Sequence, residues 1–239
     1  MTRFTSVGIL IAIGSWVVAA STSVNADSLD NRQPRNSWPQ TNHFKALTQG
    51  NGTYVAVGPG AAICSSNDGL SWTQRNTGTP FSLYAIAYGS GFFVAVGNEG
   101  ALVTSLDGIS WTTRDARTDE RLRGIAYANG VFVAVGYAGT IRTSEDGVRW
   151  TRRNSGTTER LQAVTFGSGT FVAVDWKGVV LTSTKGTRWT ARDSGVSTRL
   201  HNITYRDGLF VASGCDGITI VSGDACAWTL HKGHSLRYL

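Results

Sequence analysis

Five tryptophans, Trp72, Trp111, Trp150, Trp189 and Trp228, stand 39 residues apart, and this spacing constrains almost everything the chain can become. A Thr follows each, a Ser stands six residues before each (Ser66, Ser105, Ser144, Ser183, Ser222), and Gly52, Gly91, Gly130, Gly169 and Gly208 keep the same step. The chain is therefore five copies of one unit, 44–82, 83–121, 122–160, 161–199 and 200–231, in strict register. A period of this length marks a supersecondary unit that cannot bury its own apolar face and must pack on its neighbours.

In the third copy, bulky and small residues alternate over 122–127, and Ala128-Asn129-Gly130 is a hairpin signal. Val131 to Val135 is a continuous apolar run, 140–144 returns after a glycine-rich turn, Asp146-Gly147 marks another hairpin, and 149–153 forms a fourth strand around Trp150. Four short strands in 39 residues leave no room for a helix. A strand reading Val-Phe-Val-Ala-Val is apolar on both faces, so a sheet must lie on each side of it. Radial packing about an axis meets that demand. The expected fold is an all-β propeller of five blades, each of four antiparallel strands. Tyr54, Phe93, Phe132, Phe171 and Phe210 should fill the space between blades, with an Ala two residues later letting the sheets approach. The end copies show no obvious polar caps, which favours a closed ring over an open stack.

Outside the copies, residues 1–26 have the organisation of an export signal. Arg3 precedes an apolar run from Val7 to Ala20, and Val24-Asn25-Ala26 offers small residues for cleavage after Ala26. The run is too short to span a bilayer, so the remainder is expected to be secreted or periplasmic, without a membrane span. Residues 27–43 form an N-terminal extension and 232–239 a C-terminal tail. The tail is a candidate closure segment, because Leu239 falls in register with Leu200. Cys215 and Cys226 flank one strand at opposite ends, too far apart for a disulfide.

The segments Ser66-Asn67-Asp68-Gly69-Leu70-Ser71-Trp72, Ser105-Leu106-Asp107-Gly108-Ile109-Ser110-Trp111 and Ser144-Glu145-Asp146-Gly147-Val148-Arg149-Trp150 resemble the Asp-box, or bacterial neuraminidase repeat, one residue short between Asp and Trp. The chain is thereby similar to exported bacterial propellers of the WD40/YVTN/BNR-like superfamily. The box reads as a hairpin staple: carboxylate and hydroxyl bind the turn's own N–H groups, Gly supplies a positive φ, and Trp packs over the turn. Ser66, Asp68 and Trp72, Ser105, Asp107 and Trp111, Ser144, Asp146 and Trp150, and Ser222, Asp224 and Trp228 are assigned this structural role. The resemblance implies that the boxes lie on the rim away from the usual ligand face. Copy four carries Lys185 in place of Asp, and copy five Ala225 in place of Gly.

Catalysis is not expected. A sialidase needs an arginine triad, a Tyr–Glu nucleophile pair and an Asp acid, and Arg32-Gln33-Pro34 is the nearest approach to that family's early motif, without its aromatic. No His or Cys spacing suggests a metal, and no cofactor is implied. Ligand candidates come from positions that vary while the framework repeats. The turn between second and third strands carries Glu99, Tyr137, Trp176 with Lys177, and Asp216, and the connection between copies ends in Arg121, Arg160 and Arg199. Propeller topology places both sets on one face, where guanidiniums could pair with carboxylates and aromatic rings could stack on sugars. The net charge of +6, or +5 without Arg3, suits an anionic glycan or envelope surface. Nucleic acid is not expected, for want of any dense basic stretch. The expected role is a non-enzymatic binding module for a carbohydrate or other anionic ligand. The alternative is a protein-binding scaffold resembling the assembly-factor propellers of photosynthetic membranes, and a sialidase-like glycosidase is a minor third option.

Overall fold

The computed structural model describes residues 43–232. The expected export signal, almost all of the expected extension, and the tail beyond Lys232 lie outside the described residues. The remainder forms five antiparallel four-stranded sheets, each strand paired with the next in sequence. The first contains β1 (Ala46–Gly50), β2 (Thr53–Val57), β3 (Ile63–Ser66) and β4 (Thr73–Gln74). The second contains β5 (Leu83–Gly89), β6 (Phe92–Gly97), β7 (Leu102–Ser105) and β8 (Thr112–Thr113). The third contains β9 (Leu122–Ala128), β10 (Val131–Gly136), β11 (Ile141–Ser144) and β12 (Thr151–Arg153). The fourth contains β13 (Leu161–Gly167), β14 (Thr170–Asp175), β15 (Val180–Ser183) and β16 (Thr190–Arg192), and the fifth β17 (Leu200–Arg206), β18 (Leu209–Gly214), β19 (Ile218–Ser222) and β20 (Thr229–Lys232). These are five blades of a β-propeller. No described helix is long and apolar enough to cross a membrane.

The turn between third and fourth strands shows why each blade closes as it does. In the third blade, Ser144 Oγ donates to Asp146 Oδ1 at 3.0 Å, and the N–H groups of Val148 and Arg149 donate to the same oxygen at 2.8 Å. Trp150 Nε1 then donates to the carbonyl of Gly147, which sits at φ 71°. The indole is thus spent on the turn, so the fourth strand starts after Trp150 rather than around it. Blade four lacks the carboxylate because Lys185 replaces it, and Ser183 Oγ is buried without a partner. At the end of the outermost strand or just beyond it, Arg75, Arg114, Arg153 and Arg192 each donate Nε to a hydroxyl of the third strand, on Ser65, Thr104, Thr143 and Thr182.

Four apolar cores lie between the five sheets, centred on Phe93, Phe132, Phe171 and Phe210, none of which is exposed. Three of the four joints also contain an aromatic laid over a glycine with no room for a side chain. A Cβ at Gly89 would stand 2.1 Å from the ring of Tyr127, and Gly50 with Tyr88 and Gly167 with Tyr205 repeat the arrangement. At the third joint the corresponding pair is Ala128 and Phe166. The innermost strands pack in the order β1, β5, β9, β13, β17.

Among the described residues no comparable packing joins β17 to β1 and no fifth core forms, so these residues make an open arc; the candidate closure segment beyond Lys232 lies outside them. Polar caps do exist. The outward face of the fifth sheet carries Asn202, Thr204, Ser213 and Thr219 where the third carries Gly124, Ala126, Val135 and Ile141, and Ser213 is exposed where Val135 is fully buried. Gln49 occupies the place of Tyr88 in the first blade, and Arg206 the place of Gly167 in the last. Both partners of a joint are therefore replaced by polar residues at the two ends of the arc.

Candidate functional site

One backbone hydrogen bond, repeated from blade to blade, builds the site. The first residue of each turn between second and third strands donates its N–H to the carbonyl of the residue just before the innermost strand. The pairs are Asn98 with Ser82 at 2.9 Å, Tyr137 with Arg121 at 2.9 Å, Trp176 with Arg160 at 3.0 Å and Cys215 with Arg199 at 3.0 Å. Two variable positions are thereby fixed side by side, and the repeat sets the arginines out one per blade along one rim.

Their side chains interleave into a ladder. The Arg121 guanidinium carbon lies 5.6 Å from the centre of the Tyr84 ring and 5.0 Å from that of Tyr137, and Arg160 lies 4.7 Å from Tyr137 and 5.2 Å from Trp176. Arg199 closes the series, 4.1 Å from Trp176. Each such contact is worth about 0.5 to 2 kcal/mol, more as water is excluded, and holds a flexible side chain in place before any ligand arrives. Arg121 is fixed further by donating Nε to Asn98 Oδ1 at 2.7 Å and Nη1 to the Tyr137 hydroxyl at 3.3 Å.

The five ladder residues named in the sequence, Arg121, Tyr137, Arg160, Trp176 and Arg199, are brought together. The other three candidates are placed differently. Lys177 is engaged by Glu159 at 2.7 Å, a contact that also raises its pKa. Glu99 lines an open cleft of about 400 Å³ with Asn98, Asp119, Glu120, Arg121 and Tyr137, so it surrounds a ladder arginine with negative charge. Asp216 occupies the equivalent left-handed position, φ 57°, and makes no ion pair with the ladder arginines. Among the described residues, Arg121, Arg160 and Arg199 have no carboxylate within ion-pair distance.

Two further residues belong to the ladder. Tyr84 carries Arg121 on its ring, and Arg123 lies 4.7 Å from the same ring. Both occupy the extra residue of a bulge in the innermost strand, where the register skips from Leu83 to Ala85 and from Leu122 to Gly124. Gln162 and His201 hold the same position in later blades, so a polar or amphipathic residue amid apolar neighbours was the available signal. The His201 ring meets that of Trp176 edge-on at 6.3 Å, and its Nε2 is 3.1 Å from Cys215 Sγ. Asp175 stands near this rim where the other four blades have Gly. Its Oδ1 accepts the N–H groups of Lys177 and Val179 at 2.8 Å, its Oδ2 is buried without a partner, and burial pushes its carboxyl above the usual range.

The geometry revises the expected use of the aromatics. Tyr137 and Trp176 each already meet two cations, so their π-faces are committed to guanidiniums and have little left to offer a sugar ring. What remains open is the N–H edge of the exposed Arg160 and Arg199 guanidiniums and part of that of Arg121, which suits planar oxyanions. Among the described residues, no group of three His, Cys, Asp or Glu side chains is placed to hold a metal ion. Arg32-Gln33-Pro34 lies outside the described residues.

No family model matches this chain, and no curated protein matches it in sequence. Solved structures do resemble it. A computationally designed protein, Ika8, aligns over 80% of this chain with a TM-score of 0.64 at 14% identity, and YCF48 bound to D1 peptide over 81% with a TM-score of 0.65 at 19% identity. The WD40 β-propeller domain of Doa1 aligns over 81% with a TM-score of 0.59 at 11% identity. The chain spans 62% of the Ika8 chain, 68% of that YCF48 chain and 74% of the Doa1 domain chain. At such identities the likeness establishes the fold, a β-propeller, and nothing of the ligand.

Proposed function

We propose that the protein is a non-enzymatic binding module, exported after removal of residues 1–26, that holds an anionic ligand along the arginine-lined rim. The observation that carries this reading is the set of three guanidiniums, held in register by Tyr84, Tyr137 and Trp176, with no carboxylate of the described residues within ion-pair distance of any of them. Like charges brought this close repel, and an anion that bridges them relieves the repulsion while accepting bidentate hydrogen bonds. The Ser-x-Asp turns fit the Asp-box role of hairpin staples, since their carboxylates are satisfied by their own backbone.

Elution of the purified chain from immobilised polyanions under a salt gradient tests the proposal. A triple variant, Arg121→Ala with Arg160→Ala and Arg199→Ala, should leave the matrix at clearly lower salt. A control of equal charge, Arg149→Ala with Arg152→Ala and Arg188→Ala, removes exposed arginines elsewhere and should elute with the parent. Equal elution of both variants would mean that net charge, not the ladder, governs binding, and the site would be withdrawn.

A further inference from the structure

We infer that the ligand is a linear polyuronate, a sugar chain carrying carboxylates at regular intervals, lying along the rim from blade three to blade five. The inference rests on the anion-binding reading and specifies its chemistry. The contact legs of 5.0 and 4.7 Å place the Arg121 and Arg160 guanidiniums less than about 10 Å apart, and legs of 5.2 and 4.1 Å bound Arg160 and Arg199 likewise. A small anion can occupy one rung of such a ladder. A chain with acidic groups repeating at the rung spacing engages all three, each later contact being intramolecular. In a two-fold 1,4-linked uronate chain every second carboxylate projects from the same edge, which matches one cation per blade, each less than about 10 Å from the next, better than a chain sulfated at every unit.

Three features of the rim favour this polymer over the alternatives. Peptide recognition by an extended surface draws on free backbone donors and acceptors, and here the turn amides are already spent. Asn98 donates to Ser82, Tyr137 to Arg121, Trp176 to Arg160, Cys215 to Arg199, Gly100 to Glu120 and Gly139 to Glu159. Binding of single-stranded nucleic acid draws on open aromatic faces, and those of Tyr137 and Trp176 face guanidiniums. Stacking of a neutral sugar is disfavoured for the same reason, which leaves the guanidinium edges and hence the carboxylates as the recognised feature.

The ladder is also asymmetric. Glu99, Asp119 and Glu120 share the cleft at Arg121, whereas the corresponding positions around Arg199 hold Lys177, Ser197 and Thr198. Ligand charge should therefore be felt most at Arg160 and Arg199, and either alanine substitution there should weaken binding more than Arg121→Ala.

Calorimetric titration with oligogalacturonates of one to eight units is the test. Affinity should rise about tenfold or more from one unit to about five, the length that spans three rungs, and then level off. The methyl-esterified oligomer should not bind, and the triple arginine variant should respond to none of the series. A flat length dependence, or equal affinity for a hexaglutamate or a fully sulfated oligosaccharide, would overturn the polyuronate assignment while leaving the ladder intact as an anion site. Undiminished binding by the triple variant would instead remove the ladder reading itself.

Discussion

The interior joints of the arc and its two ends are built from the same repeat and solve opposite problems. Inside, Tyr88, Tyr127 and Tyr205 lie over glycines and Phe166 packs with Ala128, and the phenylalanines at 93, 132, 171 and 210 are sealed from solvent. At the ends the same positions become Gln49 and Arg206, and the apolar outward face becomes Asn202, Ser213 and Thr219. The contrast teaches that the unit of stability is the joint, not the blade. A lone sheet with both faces apolar has no stable exposure, and four joints serve five blades.

The sharpest way to break this contrast is to remove the central aromatic at an interior joint and at an end. Phe132→Ala deletes a fully buried ring that touches Tyr127 and Trp150, and should cost about 3 to 5 kcal/mol in chemical denaturation. Tyr54→Ala removes the equivalent ring from the half-exposed first blade and should cost about 1 kcal/mol. Comparable losses at both positions would show that the first blade is covered in solution. Next in size is Gly89→Ala, whose methyl group would enter the Tyr127 ring. Overpacking of this kind costs about 1 to 3 kcal/mol, whereas Arg206→Ala at the free end should change the midpoint negligibly.

The smallest effect tests a departure that lies inside the arc. Lys185→Asp restores to blade four the carboxylate of its neighbours, gives Ser183 Oγ a partner, and should stabilise by about 1 kcal/mol at neutral pH. That gain should be acid-labile. In the first blade, the N–H groups of Ser71 and Leu70 and the Ser66 hydroxyl lower the Asp68 pKa to about 2, and the same cause depresses Asp107, Asp146 and Asp224. A carboxyl whose folded pKa lies below its unfolded value stabilises fully above the unfolded value, about 3.9, and loses that contribution as pH falls through the folded one. The advantage of the Lys185→Asp variant should accordingly be constant from pH 5 to neutrality and fade between about pH 4 and pH 2. An advantage that persists at pH 2 would point away from the carboxylate.

Much of this was legible in the chain. The tryptophan period and the glycine steps located the first three strands of the repeat and the turn before the fourth, which begins after the Trp rather than around it, because turn chemistry and alternation are local and each copy repeats them. The ladder was half legible. Arg121, Arg160 and Arg199 stood out as a repeated position, and Tyr137 and Trp176 as variable ones, but nothing in the spacing showed that rings and guanidiniums alternate. Tyr84 and Arg123 escaped notice because a bulge reverses the side to which a strand residue points, and a bulge is settled by pairing with the neighbouring strand.

By itself the sequence determined the unit: four strands, their turns, and the Ser-x-Asp staple, all fixed by contacts within 39 residues. Tertiary structure alone decided how the units meet: that the arc stays open among the described residues, and that the aromatics of the rim alternate with arginines. The physical reason is that curvature and side-chain alternation depend on volumes and charges supplied by different copies, which become neighbours only after the sheets have packed.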